Sequence, residues 1–400
     1  MSTDRRDFMK MGSALLTLGA GAGLGLLPAA ARAAEMVRVG LLHSMSGTLA
    51  IYEAALLDAE KLAIDEINAS GGVLGRTLAV VVEDGASDPA VFAEKARKLL
   101  ERDQVAVIVG TASSSSRKAV LPVLRRAAGV LFYPVFYEGQ EQDPAVVYTS
   151  QEATQSVIPS MQWLLRNKGK KVFMIGSDYI YPRTCNRIAR QTVTQMGGIV
   201  AGEEYVPFGH TEFSAIINKI KAAGADCIYC TVVGGSVVSF FKQLRAAGLD
   251  GAKITLLSTA LTENEIDGIG KDNALGYYSC AGYFQSIASP ANERFIKAFR
   301  TRYGQARVIG DPMAVAYNSV YLWKMAVEKA GSFEPAKVLA AAAGLEIEAP
   351  EGRVRVHASN QHVWKKVRIG RARADGQFDI VWESAGPVEP NPFPKLSVPA

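Results

Sequence analysis

The side chains best suited to hydrogen-bond chemistry cluster between Gly110 and Gly139, in the run GTASSSSRKAVLPVLRRAAGVLFYPVFYEG. Four consecutive serines, Ser113 to Ser116, follow the apolar run Val105–Val109, and Tyr133, Tyr137 and Glu138 follow a second apolar run, Val130–Phe132. The first run suits a buried parallel strand, and the serines suit the mouth of a helix that ends near Gly129. A helix start leaves backbone N–H groups unpaired and carries partial positive charge. Serines there cap it or hold a small polar ligand. In open α/β sheets ligands sit outside the carboxyl ends of strands, which is where both the serines and the tyrosines fall. The stretch therefore reads as one wall of a binding cleft made of hydroxyls and aromatic rings.

Other chemistries have less support. The four histidines, His43, His210, His357 and His362, belong to no recognisable motif, and the chain has no G-x-S-x-G elbow, P-loop or H-E-x-x-H helix. No catalytic residue, metal site or cofactor is expected. Cys227-x-x-Cys230 lies in DCIYCTVV (226–233), which reads as a buried strand. Residues three apart on a strand face opposite sides, so these thiols are expected to diverge as small buried hydrophobes. His210 is expected in a turn before a helix at Glu212, with Thr211 as its N-cap.

The elements that must position the serine–tyrosine wall alternate regularly. Met36–Leu42 reads as a strand, about 52–68 as an amphipathic helix, Leu78–Glu83 as a strand and Phe92–Arg102 as a helix, before the run described above. Val146–Tyr148 is a further short strand. Near Ser150 the alternation restarts. Lys171–Ile175, Ile199–Val206, Cys227–Val233, Ile254–Ser258 and Gly276–Ala281 are strands separated by helices, and GSDYIYPR (176–183) is a loop in which Pro182 biases Tyr181 towards an extended backbone. A third, shorter block has helices at 290–303, 312–330 and 335–343 and strands at 354–357, 367–373 and 378–383. The fold class expected is α/β: two doubly wound parallel-sheet lobes joined by a multi-strand hinge. Lobe 1 is expected at 36–150 plus 283–347, lobe 2 at 151–282 plus 348–385, and a proline-rich tail at 386–400.

The 400 residues are 48% hydrophobic and 21% charged, with a net charge of +5 that is spread along the chain, so no nucleic-acid partner is expected. Arg5-Arg6-Asp7-Phe8-Met9-Lys10, a Gly/Ala/Leu run and Ala31-Arg32-Ala33 read as a cleaved twin-arginine signal peptide over 1–33, directing the chain to the periplasm.

With these features in place, the chain resembles the type I periplasmic binding proteins of ABC transporters. Within them it is similar to the receptors for urea and short-chain amides, relatives of the amide-sensing amidase regulators. The carriers are VGLLHSMSGT (39–48), INASGGVLGR (67–76), VEDGASDP (82–89), SRKAVLPV (116–123), FYPVFYEGQE (132–141), IGSDYIYPR (175–183), GEEYVPFGHTEFS (202–214), YFQSI (283–287) and APEGRVRV (349–356). The resemblance implies a small polar ligand held between the lobes and handed to inner-membrane permease subunits. It implies Ser114 and Tyr133 from lobe 1 and Tyr181 and Thr231 from lobe 2 as contacts, with Tyr179, Tyr137, Glu138 and Tyr283 as neighbours. The chain departs from the pattern at Ala112, where relatives usually carry a bulky aromatic, at Ala153-Thr154-Gln155 and at Ala314-Val315-Ala316. Each change removes bulk or a polar group near the expected cleft or hinge. A same-fold receptor for branched-chain amino acids and an amide-sensing regulator are the alternatives, and Glu138 is the acid that could hold an amino acid's ammonium.

Overall fold

The computed structural model describes residues 36–395; the expected leader, 1–33, lies outside the described residues. The first lobe is built from β1 (Val37–His43), α1 (Ala50–Ala69), β2 (Leu78–Asp84), α2 (Pro89–Arg97), β3 (Val107–Gly110), α3 (Ser114–Ala127), β4 (Leu131–Tyr133) and β5 (Val146–Tyr148). Its five strands run in the order β2-β1-β3-β4-β5, all parallel. The near-continuous apolar strands have helices on both faces. Leu42, Ile108 and Leu131 pack into one core, and Val39, Leu41, Val107, Val109 and Phe132 into the other.

The second lobe continues with α4 (Val157–Asn167), β6 (Lys171–Ser177), α5 (Ile180–Gln195), β7 (Ile199–Val206), α6 (Ser214–Ala223), β8 (Cys227–Thr231), α7 (Gly235–Ala246), β9 (Thr255–Ser258), α8 (Glu263–Ile269), α9 (Lys271–Ala274) and β10 (Tyr278–Ala281). The chain then forms α10 (Pro290–Tyr303), α11 (Asp311–Ala330), α12 (Pro335–Ala342), β11 (Glu346–Ala349), β12 (Gly352–Val356), β13 (Val363–Trp364), β14 (Arg368–Ala372) and β15 (Phe378–Glu383). The second sheet has the order β15-β14-β10-β9-β8-β6-β7, with β14 and β15 antiparallel at one edge. Cys227 faces one core of this lobe and Cys230 the other, as strand alternation requires, and all four cysteines are free and buried.

In each lobe the strand order reverses once among the parallel strands, between β1 and β3 and between β6 and β8. The carboxyl ends of those four strands form the crevices into which an open α/β sheet directs its ligand sites. Gly110 makes the first crevice possible. Its φ is +142°, and a Cβ there would lie 2.2 Å from the Leu42 carbonyl oxygen, so only glycine lets β3 turn this tightly against β1.

Three expectations change. Residues 348–385 do not belong as one piece to lobe 2: Ala349, Val354, Val356 and Val363 share a core with Val37, Val39 and Trp323, while Ile369 and Phe378 pack with the second sheet. The small β11-β12-β13 sheet therefore covers lobe 1, because its alternating apolar residues find an uncovered face there. Tyr181 is helical, not extended. α5 starts at Ile180, and Pro182 is tolerated because its missing N–H falls among those left unpaired at a helix start. α6 starts at Ser214 with Phe213 as N-cap, not Thr211, while His210 packs edge-on against Phe213 in the preceding turn. The tail is irregular but pinned. Val388 pairs with Lys365, and Pro392 O accepts from Gln140 N at 2.7 Å.

Candidate ligand-binding site

The two crevices face each other across one cleft. Lobe 1 supplies Leu49, Tyr52, Ala112, Ser113, Ser114, Val135 and Phe136, and lobe 2 supplies Tyr179, Tyr181, Val233, Gly234, Ala260 and Glu265. The cleft encloses about 450 Å³ of empty space, counting the solvent at its mouth. The lobes meet over it: the Phe136 and Tyr181 rings lie 5.7 Å apart, and Gly235 N donates to Thr48 O at 3.2 Å.

Ser114, Tyr181 and Tyr179 line the cleft, and Ser114 and Tyr181 are already partly engaged. Ser113 caps α3 by accepting from Ser116 N at 3.0 Å. Ser114 Oγ donates to Glu138 Oε2 at 2.5 Å and accepts from Arg117 Nη1 at 3.3 Å. With its proton committed to Glu138, Ser114 can meet a ligand only as an acceptor. Tyr181 Oη pairs with Thr259 Oγ1 at 2.7 Å, and burial raises its phenol well above the ordinary range.

The remaining expected contacts do not line the cleft. Tyr133 is fully buried, donates to Ala112 O at 2.6 Å and stacks beneath the Arg117 guanidinium. Tyr137 is buried against the Arg117 guanidinium as well, with its hydroxyl beside His362 Nε2 and Glu141 O. Glu138 lies behind Ser114, 3.5 Å from Arg117 Nη2. Thr231 is buried at the end of β8, with its hydroxyl shared between Ile175 O and Asn186 Oδ1. Tyr283 is buried and donates to Asn292 Oδ1 at 2.8 Å. Tyr133, Tyr137 and Glu138 underlie the lobe 1 wall, and the polar side-chain atoms of all five residues bond within the protein.

Ala112 does line the cleft, so the missing bulk there opens the site directly. Ala314 and Ala316 are buried in α11 away from the lining, and Gln155 ties the crossover to Val363 O and Val388 O.

Tyr52, Phe136, Gly234 and Glu265 are not among the expected contacts. Two signals could have found the last two. Gly234-Gly235-Ser236 follows a strand as the serine cluster does, and Thr262-x-x-Glu265 is a capping box, which the structure forms. Glu265 Oε2 accepts from Thr262 N at 2.9 Å and from the Thr262 hydroxyl, and burial raises the carboxyl above its ordinary value despite those bonds. No Lys, Arg or His is among the described residues that line the cleft. Among the described residues no group of three or more His, Cys, Asp or Glu is placed to hold a metal ion.

Two α/β lobes closing on a cleft with polar groups at both strand-order reversals define a solute-binding protein. The family described as periplasmic binding protein domain matches residues 37–399, and the chain belongs to it. Membership implies a periplasmic location. The chain is 28% identical over 359 residues to the Leu/Ile/Val-binding protein homolog 6 of Brucella melitensis, covering 87% of this chain and 91% of that one. The solute binding protein of an ABC transporter from R. palustris, solved in complex with 4-hydroxybenzoate, superposes with a TM-score of 0.81 at 25% identity, covering 88% and 98% of the two chains. A limonene hydroxylase of Geobacillus stearothermophilus is 38% identical over 125 residues, which is 31% of this chain and 23% of that protein.

Proposed function

We propose that this chain, a solute receptor of an ABC importer, captures a short-chain primary amide or urea between its lobes and presents it to the membrane permease. The observation that carries the ligand class is the cleft lining: hydroxyls and a carboxyl among aromatic walls, with no cationic side chain among the described residues. A benzoate-type anion would lose its hydration there without gaining a charged partner. A flat neutral amide suits the lining better. Its carbonyl can face the unpaired backbone N–H groups at the start of α3, and its N–H groups can face Ser114 Oγ as acceptor. Closure of the second lobe adds contacts that exist only in the closed form, which shifts the open–closed population. Ser114, Tyr179 and Tyr181 are the proposed contacts, and export by the twin-arginine route with cleavage near residue 33 is part of the same reading.

One observation favours a second ligand class. Glu265, across the cleft from α3, could hold the ammonium of an amino acid whose carboxylate meets the α3 mouth. We propose binding rather than catalysis in either case, because Ser114 donates to a carboxylate and no histidine lines the cleft. Calorimetry with urea, acetamide, leucine and 4-hydroxybenzoate separates the readings. Acetamide or urea should bind and 4-hydroxybenzoate should not. Leucine binding without amide binding would select the amino-acid reading.

A further inference from the structure

Of the residues lining the cleft, Tyr52 alone among the described residues has a buried side-chain oxygen with no hydrogen-bond partner. Buried hydroxyls in native proteins are almost always paired, so an orphan facing a ligand cleft points to a partner supplied by the ligand. Tyr52 stands in the first turn of α1, in lobe 1. Glu265 stands in the first turn of α8, in lobe 2, and is only 6% exposed. The two helices lie side by side: a Cβ on Gly268 would be 3.2 Å from Ile51 Cδ1. Both bonds from Thr262 go to Glu265 Oε2, so Oε1 receives neither. Burial raises the Tyr52 phenol, and Glu265 is the charge that adds most to that effect.

We propose that Tyr52 and Glu265 form a specificity-determining subsite, assembled only when the lobes close, that recognises a nitrogen carrying at least two N–H groups. Glu265 Oε1 accepts one N–H and Tyr52 Oη accepts the other through a lone pair. A primary amide or an ammonium satisfies both. N-alkylation replaces the N–H groups with methyls and leaves two buried acceptors unpaired, which is how a polar site rejects a near-isostere strongly. The subsite deepens the ligand reading above and rests on its N–H-bearing ligand, though not on whether that ligand is an amide or an amino acid.

The test is calorimetry on the full chain and on Tyr52→Phe and Glu265→Gln, with acetamide, N,N-dimethylacetamide, leucine and 4-hydroxybenzoate as probes and thermal melts as the folding control. A glutamine side chain keeps an oxygen for the capping box, so Glu265→Gln should fold as the parent does. The parent should prefer acetamide over N,N-dimethylacetamide by at least about tenfold, and each variant should lose roughly tenfold in acetamide affinity and narrow that preference. If leucine binds in place of acetamide and both variants lose it, the amide reading falls and the subsite stands. If a probe with N–H groups binds the parent and both variants equally, the subsite is wrong. If only 4-hydroxybenzoate binds, or no probe with N–H groups does, both are wrong.

Discussion

Behind Ser114 on one side of the cleft, Arg117 is completely buried with Glu141 Oε1 at 2.7 Å and Glu138 Oε1 at 3.5 Å, and its guanidinium lies 4.7 and 4.4 Å from the ring centroids of Tyr133 and Tyr137. On the other side, beside α8, Glu263, Glu265 and Asp311 are buried together, and Lys365 is the cation that acts on Asp311. Burial works against the ionised form at Glu141 and at Glu263 alike, but the outcomes differ. The Arg117 and Lys118 charges and hydrogen bonds outweigh it at Glu141 and hold that carboxyl at about 2. At Glu263 nothing outweighs it, and the carboxyl rises to about 8, with Oε2 unpartnered. Charge balance makes the α3 side a preformed platform. The α8 side keeps unpartnered carboxylate oxygens, on Glu263 and Asp311.

The largest effect should come from unbalancing the platform. Arg117→Ala leaves the buried Glu138 carboxylate without its cation and Glu141 with Lys118 alone, and removes a guanidinium held against two tyrosine rings, which should cost about 3–5 kcal/mol of folding stability. Guanidinium titration of the two proteins measures it. A loss under about 1 kcal/mol would mean that Glu138 and Glu141 find water or protons instead, and the contrast between the two sides would collapse.

A smaller effect separates the sides by pH. The Glu263 carboxyl is higher in the folded chain than its ordinary value of 4.5, so its contribution to stability is complete below about pH 4.5 and is lost as pH rises towards about 8. For Glu141 the sign is opposite: the contribution is present above about pH 4.5 and is lost as pH falls towards about 2. Glu263→Gln retains an acceptor for Gln285 N, which now bonds Oε1 at 2.8 Å, and has no proton to lose. Stability measured from about pH 5 to about pH 8 should therefore fall less steeply in the variant, by up to about 1.4 kcal/mol per pH unit. Parallel curves for the two proteins would show that Glu263 does not titrate there.

Much of this arrangement is legible before any coordinates, and what is not has a physical reason. The alternation of strands and helices, the serine-capped mouth of α3 and the divergence of Cys227 from Cys230 depend on local periodicity and capping, which a chain carries in its own order. The closing partners of a cleft do not. Tyr52 and Glu265 are far apart in the chain, and nothing local marks two residues as facing each other across a hinge. Residues 348–385, which hold β12 and β13, read from sequence as part of lobe 2, and their alternating valines announce a buried face without saying whose. Tyr133 and Thr231 mislead for a related reason. A polar residue at a strand end can point outwards to a ligand or inwards to the protein, and only the neighbours decide. Here Arg117 and the Ala112 carbonyl draw Tyr133 inwards, and Asn186 and the Ile175 carbonyl draw Thr231.

Tyr133→Phe is the mildest and most discriminating change for that last point. If Tyr133 touched the ligand, removing its hydroxyl would weaken binding and leave folding alone. In the structure the hydroxyl instead donates to Ala112 O at 2.6 Å in a fully buried setting, and the ring, not the oxygen, supports Arg117. Phenylalanine keeps the ring and leaves the Ala112 carbonyl without that donor. The expected cost is about 1 kcal/mol of stability, read as a small shift in the melting temperature, with ligand affinity changed by less than about threefold. Ser114→Ala run beside it supplies the contrast, since Ser114 faces the cleft itself. Affinity lost in Tyr133→Phe as strongly as in Ser114→Ala would return Tyr133 to the ligand's contacts and move the boundary between platform and site one layer deeper into lobe 1.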